Sequence, residues 1–265
     1  MTKIISFSNY KGGVGKSTIT EIFGFLLDRD HDKKVLLIDT DPQMNLSDKI
    51  RRTFNVEAKP KKQLMQAIED QTIADARVTI NDNIDLLVGD WQIEKFPQHV
   101  AKLPAQAQFY LLYTLTKDIV KEYEYVLIDT RPSTDIMTNN AIAMSDYVLI
   151  VAKTEQDSFI SSQRYYKYLS EMQRYNENLK LLGVIQYLVN TRGSTDKKVM
   201  QDFAELFEED VLKSIIRSSE RVKTWGYYGI TTNYAHDKKT MKMYQEALNE
   251  VLEKLEKRDE DVPAH

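Results

Sequence analysis

The stretch Ile4-Ile5-Ser6-Phe7-Ser8-Asn9-Tyr10-Lys11-Gly12-Gly13-Val14-Gly15-Lys16-Ser17-Thr18 decides the fold. Ile4 to Ser8 reads as a short strand, and a helical pattern opens at Lys16 and continues to about Asp28. A glycine-rich turn between strand and helix is the context a phosphate-binding loop needs. Glycines let the backbone approach phosphates closely and turn its N–H groups inward, and the helix N-terminus adds partial positive charge. Lys16 is expected to reach the β- and γ-phosphates, and Ser17 to ligate Mg²⁺ through its hydroxyl. The standard pattern would carry glycine at position 10, where this chain has Tyr10, and an additional lysine, Lys11, precedes Lys16. Two ammonium groups beside one triphosphate repel each other unless anionic charge offsets them.

Two acidic motifs lie downstream. Val35-Leu36-Leu37-Ile38-Asp39 is an apolar run suited to a central strand, and it opens into Asp39-Thr40-Asp41-Pro42-Gln43-Met44-Asn45-Leu46-Ser47. Ligands of open parallel sheets bind beyond the carboxyl ends of strands, so Asp39 and Asp41 should both lie near the loop. One can hold Mg²⁺ or its water shell while the other orients the attacking water. Tyr125-Val126-Leu127-Ile128-Asp129 has the form of a Walker B strand, delivering the Asp129 carboxylate to a metal-bound water, and Thr130-Arg131-Pro132-Ser133 forms the following turn.

Further strand-like runs occur at Ile84–Val88, Tyr147–Val151 and Leu181–Val189, the last interrupted by Gly183. Helical patterns lie near residues 105–122, 135–144, 156–175, 196–208 and 240–257. This alternation predicts an α/β fold, a mostly parallel twisted sheet flanked by helices on both faces, of the P-loop NTPase type. Residues 55–83 are irregular. One domain over residues 1–257 is expected, followed by an acidic, frayed tail at 258–265.

Of the 265 residues, 42% are hydrophobic and none is cysteine. The composition permits a sizeable core and excludes disulfides, iron–sulfur ligation and thiol chemistry. No run of about 18 apolar residues marks a transmembrane helix, and the N-terminus lacks a signal-peptide pattern, so a cytoplasmic protein is expected. The four histidines are scattered without metal-ligand spacing.

The motifs at 11–18, 39–47 and 127–133 resemble those of ParA-type partition ATPases of the deviant Walker A P-loop superfamily, over roughly residues 3 to 255. The resemblance implies a Mg²⁺-dependent ATPase that forms an ATP sandwich homodimer, binds DNA without sequence preference, associates with the nucleoid when ATP-bound, and is stimulated by a centromere-binding adaptor. It implies Lys11 reaching across the dimer to the partner's ATP, Lys16 as the P-loop lysine and Asp41 positioning water. Gly12, Gly13, Val14, Gly15, Ser17 and Thr18 would complete the phosphate cradle, with Asp39 and Asp129 around the metal. Asn190 and Arg192, at the end of the Leu181–Val189 strand, would lie near adenine. Arg131 departs from the proline often found there. The chain opens directly on its first strand, so the helix-turn-helix extension of larger ParA-type proteins is not expected.

The net formal charge of −4 hides a segregation. Between residues 211 and 245, Lys213, Arg217, Arg221, Lys223, Lys238, Lys239 and Lys242 are opposed only by Glu220 and Asp237, whereas acids dominate from Glu246 onward. A basic stripe can contact phosphates with little sequence discrimination, and the resemblance makes it the expected DNA surface. A MinD-like membrane-cycling ATPase is the alternative on the same loop; the acidic C-terminus and the Asp-Pro-Gln segment disfavour it. An amidoligase on the same scaffold would need a small-molecule acceptor, and a metal-cluster carrier would need cysteines. The tyrosines at 165, 166, 168, 175, 227 and 228 read as packing residues.

Overall fold

The computed structural model describes residues 2–260. Among them one eight-stranded sheet has the order β3-β4-β2-β5-β1-β6-β7-β8. The strands are β1 Lys3–Ser8, β2 Val35–Asp39, β3 Arg77–Thr79, β4 Ile84–Leu87, β5 Tyr125–Asp129, β6 Tyr147–Lys153, β7 Lys180–Val189 and β8 Val211–Arg217. Every pairing is parallel except β3 with β4. The helices are α1 Lys16–His31, α2 Asn45–Phe54, α3 Leu64–Glu69, α4 Phe96–Val100, α5 Leu111–Thr116, α6 Ile136–Ala143, α7 Gln156–Met172, α8 Ser194–Phe207, α9 Glu220–Tyr228 and α10 Ala235–Glu260. The expected α/β class is therefore the observed one.

Successive side chains of a strand point to opposite faces, and the core follows that alternation. Ile5, Leu37 and Leu127 pack against α1 and α10 through Ile22, Leu26, Tyr244 and Leu248. Their neighbours Ile4, Leu36 and Val126 pack the other way, against Leu64 and Ile68 of α3 and Met137 and Ala141 of α6. Val148, Ile150 and Val184 meet Tyr165 of α7 and Phe203 of α8. Five apolar residues of α1 (Ile19, Ile22, Phe23, Leu26 and Leu27) are each at most 1% exposed. At about 1.5–3 kcal/mol per buried side chain, they anchor the loop-bearing helix to the sheet.

The structure adds α2, α4 and α9 outside the helical patterns named above, and it differs from the sequence expectations in four further places. β3 is only three residues long and pairs antiparallel at the edge, too short to show a period. β8 alternates buried Leu212 and Ile216 with exposed Lys213 and Arg217, the charges guarding the sheet edge. The expected helix over 105–122 is broken into two 3₁₀ turns around α5, because Asn140 of α6 accepts from the Leu112 N–H at 3.0 Å and donates to the Gln108 carbonyl at 2.8 Å. The last helix starts at Ala235 and runs through Arg258, which donates to the Leu181 carbonyl at 2.5 Å. Of the expected tail, residues 261–265 lie outside the described residues.

The sequence reading has Gly183 interrupting β7, but the strand runs unbroken through it, and glycine stands there for a steric reason. A β-carbon there would sit 2.4 Å from Leu212 Cδ1 and 2.8 Å from the Asp210 carbonyl, and the β6–β7 register shifts beside it.

Candidate nucleotide site

β1 delivers the loop. At its end, buried Asn9 donates to the Val151 carbonyl at 2.8 Å and to Ser162 Oγ at 3.0 Å, while its Oδ1 accepts from the Lys11 N–H at 3.1 Å and Ser161 Oγ at 2.7 Å. This one side chain ties the start of the loop to β6 and α7. Tyr10, in the position glycine would occupy, packs edge-on against Tyr165 with ring centres 4.9 Å apart. α1 begins after Gly15 without any side-chain cap, so its first N–H groups remain available to an anion.

Gly15 has φ +103°, and a β-carbon there would lie 2.2 Å from the ring of Tyr187 on β7. At the other end of the loop, Pro132 approaches Gly12, its Cγ 3.7 Å from where a Gly12 β-carbon would lie. The loop is thus clasped between β7 and the turn after β5. These residues open into a cavity of about 760 Å³, whose floor includes Gly12, Gly13, Gly15, Lys16, Ser17 and Thr18. Asp41 and Lys49 flank the floor, and Tyr187, Ser218, Val222 and Gly226 form the far wall. The volume is ample for a mononucleotide.

Lys16 is 6% exposed, and burial lowers its pKa against the opposing pull of Asp129 and Asp41. Asp39 and Asp129 face one another in register across β2 and β5, and both are fully buried. Burial raises the Asp39 pKa to about 6, its hydrogen bonds from Ser47 and the Asp41 N–H opposing the rise. Burial, then the Asp39 charge, raise Asp129 well above the carboxylate range, while Ser17 and Lys16 pull the other way.

The two buried carboxylates have different surroundings. Neither oxygen of Asp129 meets hydrogen-bond geometry with any protein group. Both oxygens of Asp39 are engaged: Oδ2 accepts from Ser47 N–H and Oγ, each at 2.8 Å, and Oδ1 accepts from the Asp41 N–H at 3.2 Å. Asp39, expected at the metal, instead pins the 39–47 turn to the head of α2, and Ser47 Oγ accepts in turn from the Gly89 N–H at 2.8 Å. The orphaned Asp129 carboxylate beside Ser17 suits a hydrated Mg²⁺, an ion that keeps waters and leans on phosphate oxygens. No cluster of three or more His, Asp or Glu able to cage a metal occurs among the described residues.

Asp41 lines the cavity, its Oδ1 accepting from the Gln43 N–H at 2.9 Å. Lys11 turns to its own chain, its Nζ 3.2 Å from Asp157 of α7. Val14 is buried and faces the core rather than the cavity. Asn190 and Arg192 do not line the cavity. Asp196 of α8 accepts from the Asn190 N–H at 2.8 Å, and Asn190 Oδ1 accepts from the Arg192 N–H at 3.2 Å, forming an exposed turn. The far wall comes instead from Tyr187 and the β8–α9 junction, whose only sequence signal was Ser219, the N-cap of α9.

Six of the seven cations in the basic stripe are exposed: Lys213 and Arg217 on β8, Lys223 on α9, and Lys238, Lys239 and Lys242 on α10. Arg221 is not free. It pairs with Asp237, which is 0% exposed and also accepts from Trp225 Nε1 at 3.1 Å, Thr231 Oγ1 at 2.8 Å and the Tyr234 N–H at 3.2 Å. Burial would raise the Asp237 pKa, but Arg221 and the other donors hold it down at about 2.

A family model described as an AAA domain matches residues 2–181. The chain is 27% identical over 221 residues to a virulence-plasmid ParA family protein of Chlamydia psittaci, covering 81% of this chain and 80% of that protein. It is 27% identical over 229 residues to the sporulation initiation inhibitor Soj of Bacillus subtilis, covering 84% and 87%. Among solved structures, a plasmid partition protein of Borrelia burgdorferi bound to AMPPNP superposes with a TM-score of 0.78 at 24% identity, covering 96% and 99%. Cobyrinic acid a,c-diamide synthase of Mycobacterium smegmatis, with ADP and magnesium, also gives 0.78, at 22% identity over 97% and 96%. These superpositions share the fold.

Proposed function

The chain belongs to the AAA domain family, among its ParA-type P-loop ATPases, and from that premise we propose that it hydrolyses Mg²⁺–ATP in DNA partition. In this reading ATP stabilises a sandwich homodimer, the dimer binds DNA non-specifically, and a centromere-binding adaptor stimulates turnover. The observation that carries the nucleotide assignment is a buried cation, Lys16, and an uncapped helix start on one 760 Å³ cavity, with the orphaned buried carboxylate of Asp129 adjoining Lys16 and Ser17. Each would be unfavourable without an anion–metal pair to complete it.

The loop amides and the head of α1 bind the triphosphate, and Lys16 neutralises its β- and γ-oxygens. Ser17 and Asp129 would hold Mg²⁺, directly or through water, and the ion neutralises charge on the phosphates. Asp41 orients a water for in-line attack on the γ-phosphorus. The new P–O bond forms as the bond to the β–γ bridging oxygen breaks, and the water proton passes to Asp41 or to the departing phosphate. Lys11 leaves Asp157 for the partner's nucleotide on dimerisation. Six exposed cations per protomer support DNA contact, and two protomers double the contacts. If on the order of six phosphates are neutralised, log K falls with log salt at a slope of roughly −5.

The test is ATP turnover measured alone, with duplex DNA, and with DNA plus the product of the neighbouring gene. Stepwise stimulation is expected. Equal DNA affinity with ATP, ADP and no nucleotide would reject the partition switch, and absence of binding heat from Mg²⁺–ATP would reject the site itself.

A further inference from the structure

We propose that Arg131 is a phosphate-sensing group, supplied by the chain to its own site, that reads the terminal phosphate of the bound nucleotide. This rests on reading the cavity as a nucleotide site. Arg131 lines that cavity, yet it is 9% exposed. Its Nη1 is held by Asp135 at 2.7 Å and, more loosely, by Glu94 at 3.5 Å. Nε and Nη2 are buried and make no hydrogen bond. Those two nitrogens form the side-on edge of the guanidinium, whose parallel N–H groups match two oxygens of a phosphate or carboxylate. An unpaired edge of a buried cation is costly, and an arriving anion relieves that cost.

The geometry also says which part of the nucleotide arrives there. The apolar end of the cavity, with Tyr187, Val222 and Gly226, lies beside Gly15 and suits a base. Arg131 sits at the opposite end, where Pro132 approaches Gly12 and Thr130 is fixed to β1 by bonds to Ser8 Oγ at 2.7 Å and the Phe7 carbonyl at 2.9 Å. A nucleotide laid along the loop places its last phosphate at this end, so the fork meets a triphosphate and not a diphosphate. The fork is covered in the nucleotide-free chain. Its use requires Arg131 to release Glu94, which is 62% exposed, and to turn about its Asp135 anchor.

Calorimetric titration of the full-length chain with Mg²⁺–AMPPNP and with Mg²⁺–ADP tests this. Arg131→Ala should weaken AMPPNP by about 10- to 100-fold, the range of a charged bidentate contact, and ADP by less than about threefold. Arg131→Lys should not restore the loss, because an ammonium offers a point charge in place of a fork. Glu94→Gln removes the competing carboxylate and should tighten AMPPNP about two- to threefold while leaving ADP unchanged. Equal losses for both nucleotides in Arg131→Ala, or no loss for either, would overturn the proposal and leave Arg131 as a static ion pair of the 130–135 turn. Should Arg131→Ala fail to fold, unchanged AMPPNP affinity in Glu94→Gln overturns it equally. Wild-type protein that binds neither nucleotide would mean that the cavity is not a nucleotide site, a separate failure.

Discussion

Replacing Gly15 with alanine introduces two separable costs, and a second substitution can tell them apart. The first cost is backbone strain, since φ at Gly15 is +103°. A residue with a β-carbon held in a sparsely populated backbone region loses on the order of 1–3 kcal/mol. The second is collision. The new methyl would lie 2.2 Å from Cε1, 2.5 Å from Cδ1 and 2.7 Å from Cζ of Tyr187, against about 3.5–4.0 Å for relaxed carbon–carbon contact. The ring must retreat by more than an ångström, yet Tyr187 is 3% exposed within the core, and such overpacking typically costs about 1–3 kcal/mol. Gly15→Ala should therefore destabilise the protein by roughly 2–6 kcal/mol in urea unfolding. In a Tyr187→Ala background the collision vanishes and only strain remains, so the same change should cost about 1–3 kcal/mol. The coupling energy of the cycle is then about 1–3 kcal/mol, positive in the sense of rescue. A Gly15→Ala cost that is identical in both backgrounds would refute the claim that the β7 tyrosine fixes the loop's shape.

Three further outcomes follow from other contacts. Asp39 has a folded pKa of about 6 against about 3.8 when unfolded, so the native state holds its proton more tightly; the nucleotide-free protein should lose stability as pH rises from about 4 to about 6, the Asp129 carboxyl, raised further, should carry the decline on above that, and Asp39→Asn should flatten the slope between about 4 and about 6 in denaturant midpoints measured across the range. Asp157→Asn releases Lys11 from an exposed pair, 34% and 79% accessible; unfolding stability should change by no more than about 1 kcal/mol, while ATP-dependent dimerisation, read by light scattering, should increase, and a weaker dimer would show that the pair holds Lys11 in its productive orientation. Asp237→Asn removes the charge opposite Arg221 and leaves one acceptor oxygen where Arg221, Trp225, Thr231 and the Tyr234 N–H had two, so it should lower the melting temperature and shift the emission of Trp225, whereas Lys238→Ala with Lys239→Ala should leave melting unchanged and weaken DNA binding; equal melting of Asp237→Asn and wild type would contradict a structural role for the buried carboxylate.

The parts of the site visible in the sequence are those built from contiguous residues. The loop from Lys11 to Thr18 declares itself because its glycines, lysines and hydroxyls must be adjacent to wrap one phosphate group, and Asp129 because an apolar strand must carry it there. What escaped the sequence is what distant segments assemble. The far wall comes from Tyr187 and the β8–α9 junction, about 170 to 210 residues beyond the loop, and no local spacing reports that approach. Asp39 looked free for a metal, and its commitment to Ser47 depends on where α2 begins. Asn190 and Arg192 follow the right strand, but Asp196 draws their turn toward α8. Arg221 counted as one more surface cation until the fold set the buried Asp237 against it. β8 was hidden because its charged alternate residues read as a stripe when they are one side of an edge strand.

Asp237 gives two helices a common fastener. It takes hydrogen bonds from Arg221 and Trp225 on α9 while belonging to the first turn of α10. α9 also contributes Val222 and Gly226 to the cavity wall, and α10 carries Lys238, Lys239 and Lys242 on its outer surface. With that carboxylate ionised down to pH values near 2, the joint does not loosen under physiological acidity. The helix that walls the chamber and the helix that displays the ammonium groups are thereby buttoned together at their adjoining ends, by Asp237 and by the Ser219–Thr240 hydroxyl contact at 3.1 Å.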